Sequence, residues 1–166
     1  MTQKAVFLDR DGVINDGSLY YTHTIEDFKI NTGVVEGLQL LQKYGFLLVV
    51  ITNQSGVAKG VYTLRDVHKV HDYMIQQFRT YNITISGIYV CPHHPDVSEC
   101  DCRKPKTGMF EQAVRDLSID VSQSYMIGDS KRDIVAGERM GLTTIRIMKN
   151  ENIEPYCAAI VQHKLV

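Results

Sequence analysis

Residues 5–15 read AVFLDRDGVIN, and the fold class turns on this stretch. Four apolar residues, Ala5 to Leu8, break off into Asp9-Arg10-Asp11-Gly12. So short an apolar run, bounded by charge and glycine, predicts a buried strand. Asp9 and Asp11 stand two apart in an extended segment, so their side chains leave the backbone on the same side. Carboxylates held that close raise each other's pKa unless a cation lies between or beside them. Magnesium suits the pair, because it takes oxygen ligands, one or two of them carboxylates, with substrate phosphate completing the shell. A lone acid-x-acid pair also reads as a solvated turn, so the rest of the chain has to decide.

Outward from this stretch, strand and helix signals alternate. VVEGLQLLQKYG (34–45) has apolar residues at helical spacing, with Thr32 as N-cap and Gly45 as the stop. FLLVVIT (46–52) is a continuous run of β-forming residues, as expected for a central buried strand. A helix is expected from Thr63 to about Tyr81, opened by a capping box with Asp66. Further strands are expected at 85–91, 123–129 and 143–147, and helices at 108–118, 131–141 and, in the tail, 154–164. The pattern predicts an α/β fold with a mostly parallel sheet and helices on both faces. In such sheets the functional loops lie past the carboxyl ends of the strands. Asp9, Thr52, Cys91 and Asp129 each end or follow a predicted strand, so four polar segments should meet at one edge. Asp129 and Asp133, in GDSKRD, would bring further negative charge to the first acid pair. Asp133 has a second reading, as an acid favourable in the first turn of the helix 131–141.

The composition sets bounds. A chain of 166 residues suits one domain with a real core, here 1–166. A formal net charge of -1 gives no bias toward nucleic acid or anionic membrane. No stretch approaches the roughly 20 apolar residues that span a bilayer, and the N-terminus lacks a signal-peptide pattern, so a cytoplasmic, membrane-free protein is expected.

Three of the four cysteines, Cys91, Cys100 and Cys102, fall within twelve residues, beside His93 and His94. In a reducing compartment such a cluster points to metal rather than to disulfide. Three thiolates and one imidazole make a closed tetrahedral zinc set. Adjacent side chains in an extended segment point apart, so one of His93 and His94 is expected to reach the metal. The loop is too short and too polar to form its own core, and zinc would hold it together. Arg103 and Lys104 follow directly, so an ordered loop would carry both cations toward the acids. Cys157, His23, His68, His71 and His163 read as structural or surface residues, with His23 the one that lies in a substrate-facing loop.

VFLDRDGVIN, VVITN, CRKP and MIGDSKRDI occur in this order along residues 4–147. Together they resemble the four motifs of the haloacid dehalogenase-like (HAD) phosphohydrolases. The resemblance implies a Rossmann-like fold, here with a minimal or absent cap domain, and a magnesium-dependent phosphatase. Asp9 would be the nucleophile that forms an aspartyl-phosphate. Asp11 would protonate the leaving alkoxide and then deprotonate the hydrolytic water. Thr52 and Asn53 would hydrogen-bond the phosphoryl group, and Lys104 would bring positive charge to its oxygens. Magnesium would be held by Asp9, Asp129 and the backbone carbonyl of Asp11, with Asp133 orienting this shell rather than binding the ion.

The CPHHP…CDCRKP loop resembles that of two HAD subfamilies, the D,D-heptose 1,7-bisphosphate phosphatases and the histidinol-phosphate phosphatases. In that motif His93 is the zinc-binding histidine. NQSGVAKGVYT (53–63) is similar to the heptose form, and the histidinol enzymes tend to carry an acid where Ser55 stands. The resemblance therefore implies a small sugar bisphosphate and a role in lipopolysaccharide or other surface-glycan synthesis; a monomer is expected. Arg103 would bind the second phosphate or a sugar hydroxyl, and Lys59 reads as a plain surface residue or, second, as a further cation at the pocket. Gln54, Ser55, Tyr20 and Tyr21 would line the pocket. Histidinol phosphate, or another small sugar phosphate, is the alternative substrate. A zinc-stabilised binding module would explain the cysteines but not the ordered acids. A phosphotransfer receiver domain would need neither Asp11 as an acid nor the zinc loop.

Overall fold

The computed structural model describes residues 1–163. Five strands, β1 (Ala5–Leu8), β2 (Leu47–Asn53), β3 (Gly87–Cys91), β4 (Tyr125–Gly128) and β5 (Thr143–Arg146), form one sheet in the order β3-β2-β1-β4-β5. Every pairing is parallel, with Val6 beside Leu48 on one side and Tyr125 on the other. The helices are α1 (Val34–Lys43), α2 (Leu64–Arg79), α3 (Gly108–Leu117), α4 (Lys131–Met140) and α5 (Glu154–Val161), with a short 3₁₀ turn at Val121–Gln123.

Alternation along the strands explains the two layers. Val6 and Leu8 face one way and join Leu48, Val50 and Ile127 beneath α1, α2 and α5. Ala5 and Phe7 face the other way and join Val49, Ile51 and Met126 beneath α3 and α4. Both faces of the short β1 are thus buried, which is why it reads as a plain apolar run.

From β1 the chain builds outward through β2 and β3, then crosses back to place β4 and β5 on the other side. The order reverses at β1, so a crevice opens beyond the carboxyl ends of β1 and β4, where open α/β sheets bind ligands. Residues 9–33, between β1 and α1, form loops. Among the described residues no helix is long and apolar enough to cross a membrane.

Local expectations divide. Thr63 caps α2 as expected: its hydroxyl accepts from the Asp66 amide at 3.1 Å, and Asp66 accepts from the Thr63 amide at 2.8 Å. Gly141, in the left-handed region at φ 82°, ends α4. Thr32 does not cap α1; Gly33, at φ 85°, precedes the helix, with no side-chain cap. A Cβ at Gly33 would collide with the Asn152 side chain, so the backbone entry was chosen by a close tertiary approach rather than by capping. The expected strand at 85–91 starts only at Gly87. The tail helix ends at Val161, and residue 164 of its expected span lies outside the described residues.

Candidate active site

Asp9 leaves the end of β1 and Asp129 the end of β4, one strand over. With Asp133, in the first turn of α4, they place three carboxylate oxygens within 4.8 Å of one another. Burial, then Asp133, pushes the Asp9 carboxyl well above its usual range, against the pull of Lys104. Burial and Asp133 also raise Asp129. A cluster that resists ionisation in this way fits a divalent cation, whose charge would restore both carboxylates.

Lys104 is the protein's own counter-charge. Its Nζ, almost fully buried, donates to Asp9 Oδ1 at 2.9 Å, Asp133 Oδ1 at 2.7 Å and the Ile51 carbonyl at 2.8 Å. Burial lowers its pKa, but Asp133 and Asp9 more than compensate and hold the ammonium charged. Asp133 spends its other oxygen on the Ser130 amide and hydroxyl, closing the capping box of α4. Its two sequence readings are therefore one structure, in which the residue that caps the helix also positions Lys104. Salt-bridging to Lys104 outweighs its burial and lowers its pKa.

Asp11 lines the same cavity as these groups but stands outside the carboxylate trio. Its Oδ1 accepts from Arg10 Nε at 3.1 Å, Arg10 Nη2 at 2.8 Å and Asn15 Nδ2 at 2.9 Å. Its Oδ2 accepts only from Gln54 Nε2, at 3.1 Å, among the described residues. Gln54 also donates to Thr52 Oγ1 at 2.8 Å and accepts from Tyr62 at 2.7 Å. Gln54, expected to line the pocket, does line it, and its amide is also tied into the protein around Asp11. Thr52 is buried behind Gln54 and is not among the side chains lining the cavity. Gly12, at φ 88°, lets the loop turn under Asp129; a Cβ there would meet Asp129 Oδ2.

A cavity of about 470 Å³ joins these groups, an ordinary size for a small-ligand site. Asp9, Asp11, Asp129 and Lys104 line it, and Asn53, Gln54, Ser55, Tyr20, Tyr21 and Arg103 line it too, as expected. Tyr20 is 86% exposed and stands at the rim. Lys59 is not part of the lining; it lies 4.0 Å from Asp96 on the surface. His23 stacks on Tyr62 with ring centroids 4.9 Å apart, behind the wall. Sequence reasoning missed the lining roles of His94 and of Arg132, Arg146 and Lys149, the last three adding positive charge to the cavity. Arg132 lies within MIGDSKRDI and His94 within CPHHP, where neither was read as a cavity residue; Arg146 and Lys149 sit in no motif, and only the sheet's geometry brings them to the cavity.

The cysteine loop closes on itself. Cys91, His93, Cys100 and Cys102 bring their ligand atoms within 4.8 Å of one another. Cys91 Sγ is 3.7 Å from Cys100 Sγ and 3.6 Å from His93 Nδ1. A zinc tetrahedron with bonds of about 2.3 Å has edges of about 3.8 Å, so these match. Cys102 lies tighter, 2.8 Å from Cys91 and 3.2 Å from His93. Burial raises the Cys91 and Cys102 thiols, so a soft cation is what would keep them ionised. His94 turns away: its Nδ1 accepts from the Asp96 amide at 3.1 Å. Arg103, beyond the loop, donates to the His93 carbonyl at 3.5 Å.

A HAD-hydrolase-like family model matches residues 101–158. A D-glycero-beta-D-manno-heptose-1,7-bisphosphate 7-phosphatase from Haemophilus ducreyi is 45% identical over 150 residues, covering 87% of this chain and 82% of its own. The chain belongs to the heptose-bisphosphate phosphatase family of HAD phosphatases. A D-glycero-alpha-D-manno-heptose-1,7-bisphosphate 7-phosphatase from Photorhabdus laumondii is 38% identical over 98% of this chain and 92% of its own. Among solved structures, the D,D-heptose 1,7-bisphosphate phosphatase from B. bronchiseptica, complexed with magnesium and phosphate, superimposes with a TM-score of 0.83. It is 29% identical and covers 94% of this chain and 86% of its own. The HAD-type Rossmann-like fold read from the sequence is therefore the fold observed, and the chain is a phosphatase.

Proposed function

We propose that this phosphatase removes the phosphate at carbon 7 of D-glycero-D-manno-heptose 1,7-bisphosphate through an aspartyl-phosphate on Asp9. The observation that carries the chemistry is the meeting of Asp9, Lys104 and Asp11 in one cavity. The Arg10 amide and Lys104 both donate to Asp9 Oδ1, at 2.9 Å each, which leaves Oδ2 to attack phosphorus. As that bond forms, the ester bond breaks, and Asp11 passes its proton from Oδ2 to the departing alkoxide. In the second half, Asp11 Oδ2 takes a proton from water as the water attacks the aspartyl-phosphate and frees Asp9. Lys104 neutralises phosphoryl oxygens in a site where burial makes each charge count.

Asp9, Asp129 and the Asp11 backbone carbonyl would hold magnesium, with Asp133 orienting them through Lys104. When bound, magnesium supplies positive charge against the phosphate and so permits one anion to approach another. Cys91, His93, Cys100 and Cys102 would hold structural zinc, which keeps Arg103 and Lys104 in place. Thr52 acts from behind, on Gln54, while Asn53 is the member of that pair open to the phosphoryl group.

The lining supports a bisphosphate. Arg103, Arg132, Arg146 and Lys149 all line the cavity, a charge balance that favours a second anion and disfavours the ammonium of histidinol phosphate. Arg103 offers the planar fork suited to the retained phosphate, and Ser55 with Tyr20 and Tyr21 would meet the sugar. Phosphate release from heptose 1,7-bisphosphate, histidinol phosphate and fructose 1,6-bisphosphate tests the reading, with the highest kcat/KM expected for the first. A preference for histidinol phosphate would overturn the substrate. An active, folded Asp9→Asn variant would overturn the nucleophile.

A further inference from the structure

Arg10 is the bulkiest of the fully buried side chains, an unusual place for a guanidinium. A buried cation persists only when it is paired and its donors are satisfied. Nε and Nη2 both donate to Asp11 Oδ1, and Nη2 also donates to the Thr22 carbonyl at 2.5 Å. Nη1 lies 3.1 Å from Nε2 of His71, which is buried on α2 and does not line the cavity. Arginine has no acceptor, so Nε2 must accept, and the His71 proton is placed on Nδ1. The imidazole is neutral in this arrangement, an acceptor facing a fixed cation.

We infer that His71 is a positioning residue for the reaction: by accepting from Nη1 it holds the Arg10 guanidinium in the orientation that pins Asp11 Oδ1 and leaves Oδ2 to exchange the proton. This rests on the acid–base role proposed for Asp11. Oδ1 is saturated by three donors, so a proton on Asp11 belongs on Oδ2, the oxygen turned toward Gln54. Without the acceptor on α2, one end of the guanidinium is left with a buried donor unpaired, and it turns to find another partner. Asp11 then loses the two guanidinium bonds to Oδ1 and is misplaced for both of its proton transfers.

The leaving group separates this role from general support of the fold. A sugar alkoxide cannot leave without the proton from Asp11. Nitrophenolate can, so its first turnover bypasses the acid, whereas hydrolysis of the aspartyl-phosphate still needs Asp11 as base. The test compares wild type, His71→Leu, His71→Asn, His71→Gln and Asp11→Asn by stopped flow with heptose 1,7-bisphosphate and 4-nitrophenyl phosphate. His71→Asn, whose amide is too short to reach Nη1, stays polar and serves if the leucine variant fails to fold. For both, kcat on the bisphosphate should fall about 10- to 100-fold with KM within about twofold. The first nitrophenolate should appear at near wild-type rate, followed by slow turnover. His71→Gln, whose carbonyl can replace Nε2, should recover kcat to within about threefold.

Wild-type kcat in His71→Asn overturns the inference, as does a first nitrophenolate turnover that slows in step with the bisphosphate reaction. If Asp11→Asn itself turns over the bisphosphate normally, the acid–base reading fails instead. An inactive Asp11→Asn beside an unaffected His71→Asn sinks the role of His71 alone.

Discussion

Acidification should destabilise this protein through His71, and a single substitution should remove that part of the loss. Burial, then the Arg10 charge and more weakly His68, push the His71 pKa down to about 3, with Asp11 opposing them. In the unfolded chain it returns to about 6.5. Below that value the unfolded state binds a proton that the folded state refuses, so stability falls as pH falls, by about 1.4 kcal/mol per unit until pH approaches 3. Between pH 7.5 and 5.0 the window below 6.5 spans about 1.5 units, which amounts to about 2 kcal/mol. His71→Gln has nothing to protonate at this position. The stability difference between wild type and variant should therefore shift by about 2 kcal/mol toward the variant across that range. Other groups, including Asp133 and the cysteine cluster, titrate alike in both proteins and cancel. The chain has nine tyrosines and no tryptophan, so urea unfolding can be followed by tyrosine fluorescence and circular dichroism. The shift corresponds to roughly 1 M in relative urea midpoint. Parallel stability curves at the two pH values would show that His71 takes a proton in the native state, and the argument from burial would fail.

Lys104→Met should lower kcat by about 10²–10³-fold, because Asp9 and Asp133 lose their shared ammonium; a smaller than tenfold loss, measured on folded protein, would refute its charge role. A zinc-selective chelator, with magnesium in excess, should abolish activity and raise hydrogen exchange across residues 91–104. Unchanged exchange would mean that the loop holds without metal. Gly12→Ala should cost about 1–2 kcal/mol for its left-handed backbone and raise the magnesium concentration needed for half-maximal activity, since its Cβ meets Asp129 Oδ2. An unaltered magnesium dependence would count against the close approach of that loop and Asp129.

Much of this architecture could be read from local pattern. Strands buried on both faces show as unbroken apolar runs, and AVFL and LLVVI stand out for that reason. Helix starts were legible where a hydroxyl and an acid stand three apart, as at Thr63 with Asp66. The four zinc-type ligands were legible because they sit close in sequence, and the acids because they follow strand ends. What could not be read depends on distant chain segments. Arg10, set between two acids, looks like a solvent-facing residue; its burial follows from His71, 61 residues away, and from the Thr22 carbonyl. Gln54 looks like a free amide until Tyr62, Thr52 and Asp11 claim it. Arg146 and Lys149 reach the cavity only because β5 pairs with β4. The start of α1 was misread because Asn152 packs over Gly33, a contact without a local signature.

The strand order has a consequence for how such a protein can change. Asp9 issues from the middle strand, hydrogen-bonded on both sides and covered on both faces, so exposing it demands the collapse of nearly everything else. Arg146 and Lys149 hang from a margin, at and after the end of the edge strand β5, where local opening is cheapest. Reaction and recognition are therefore anchored at opposite extremes of rigidity, and loops grafted at that margin could redirect the choice of phosphate ester while the centre keeps its chemistry.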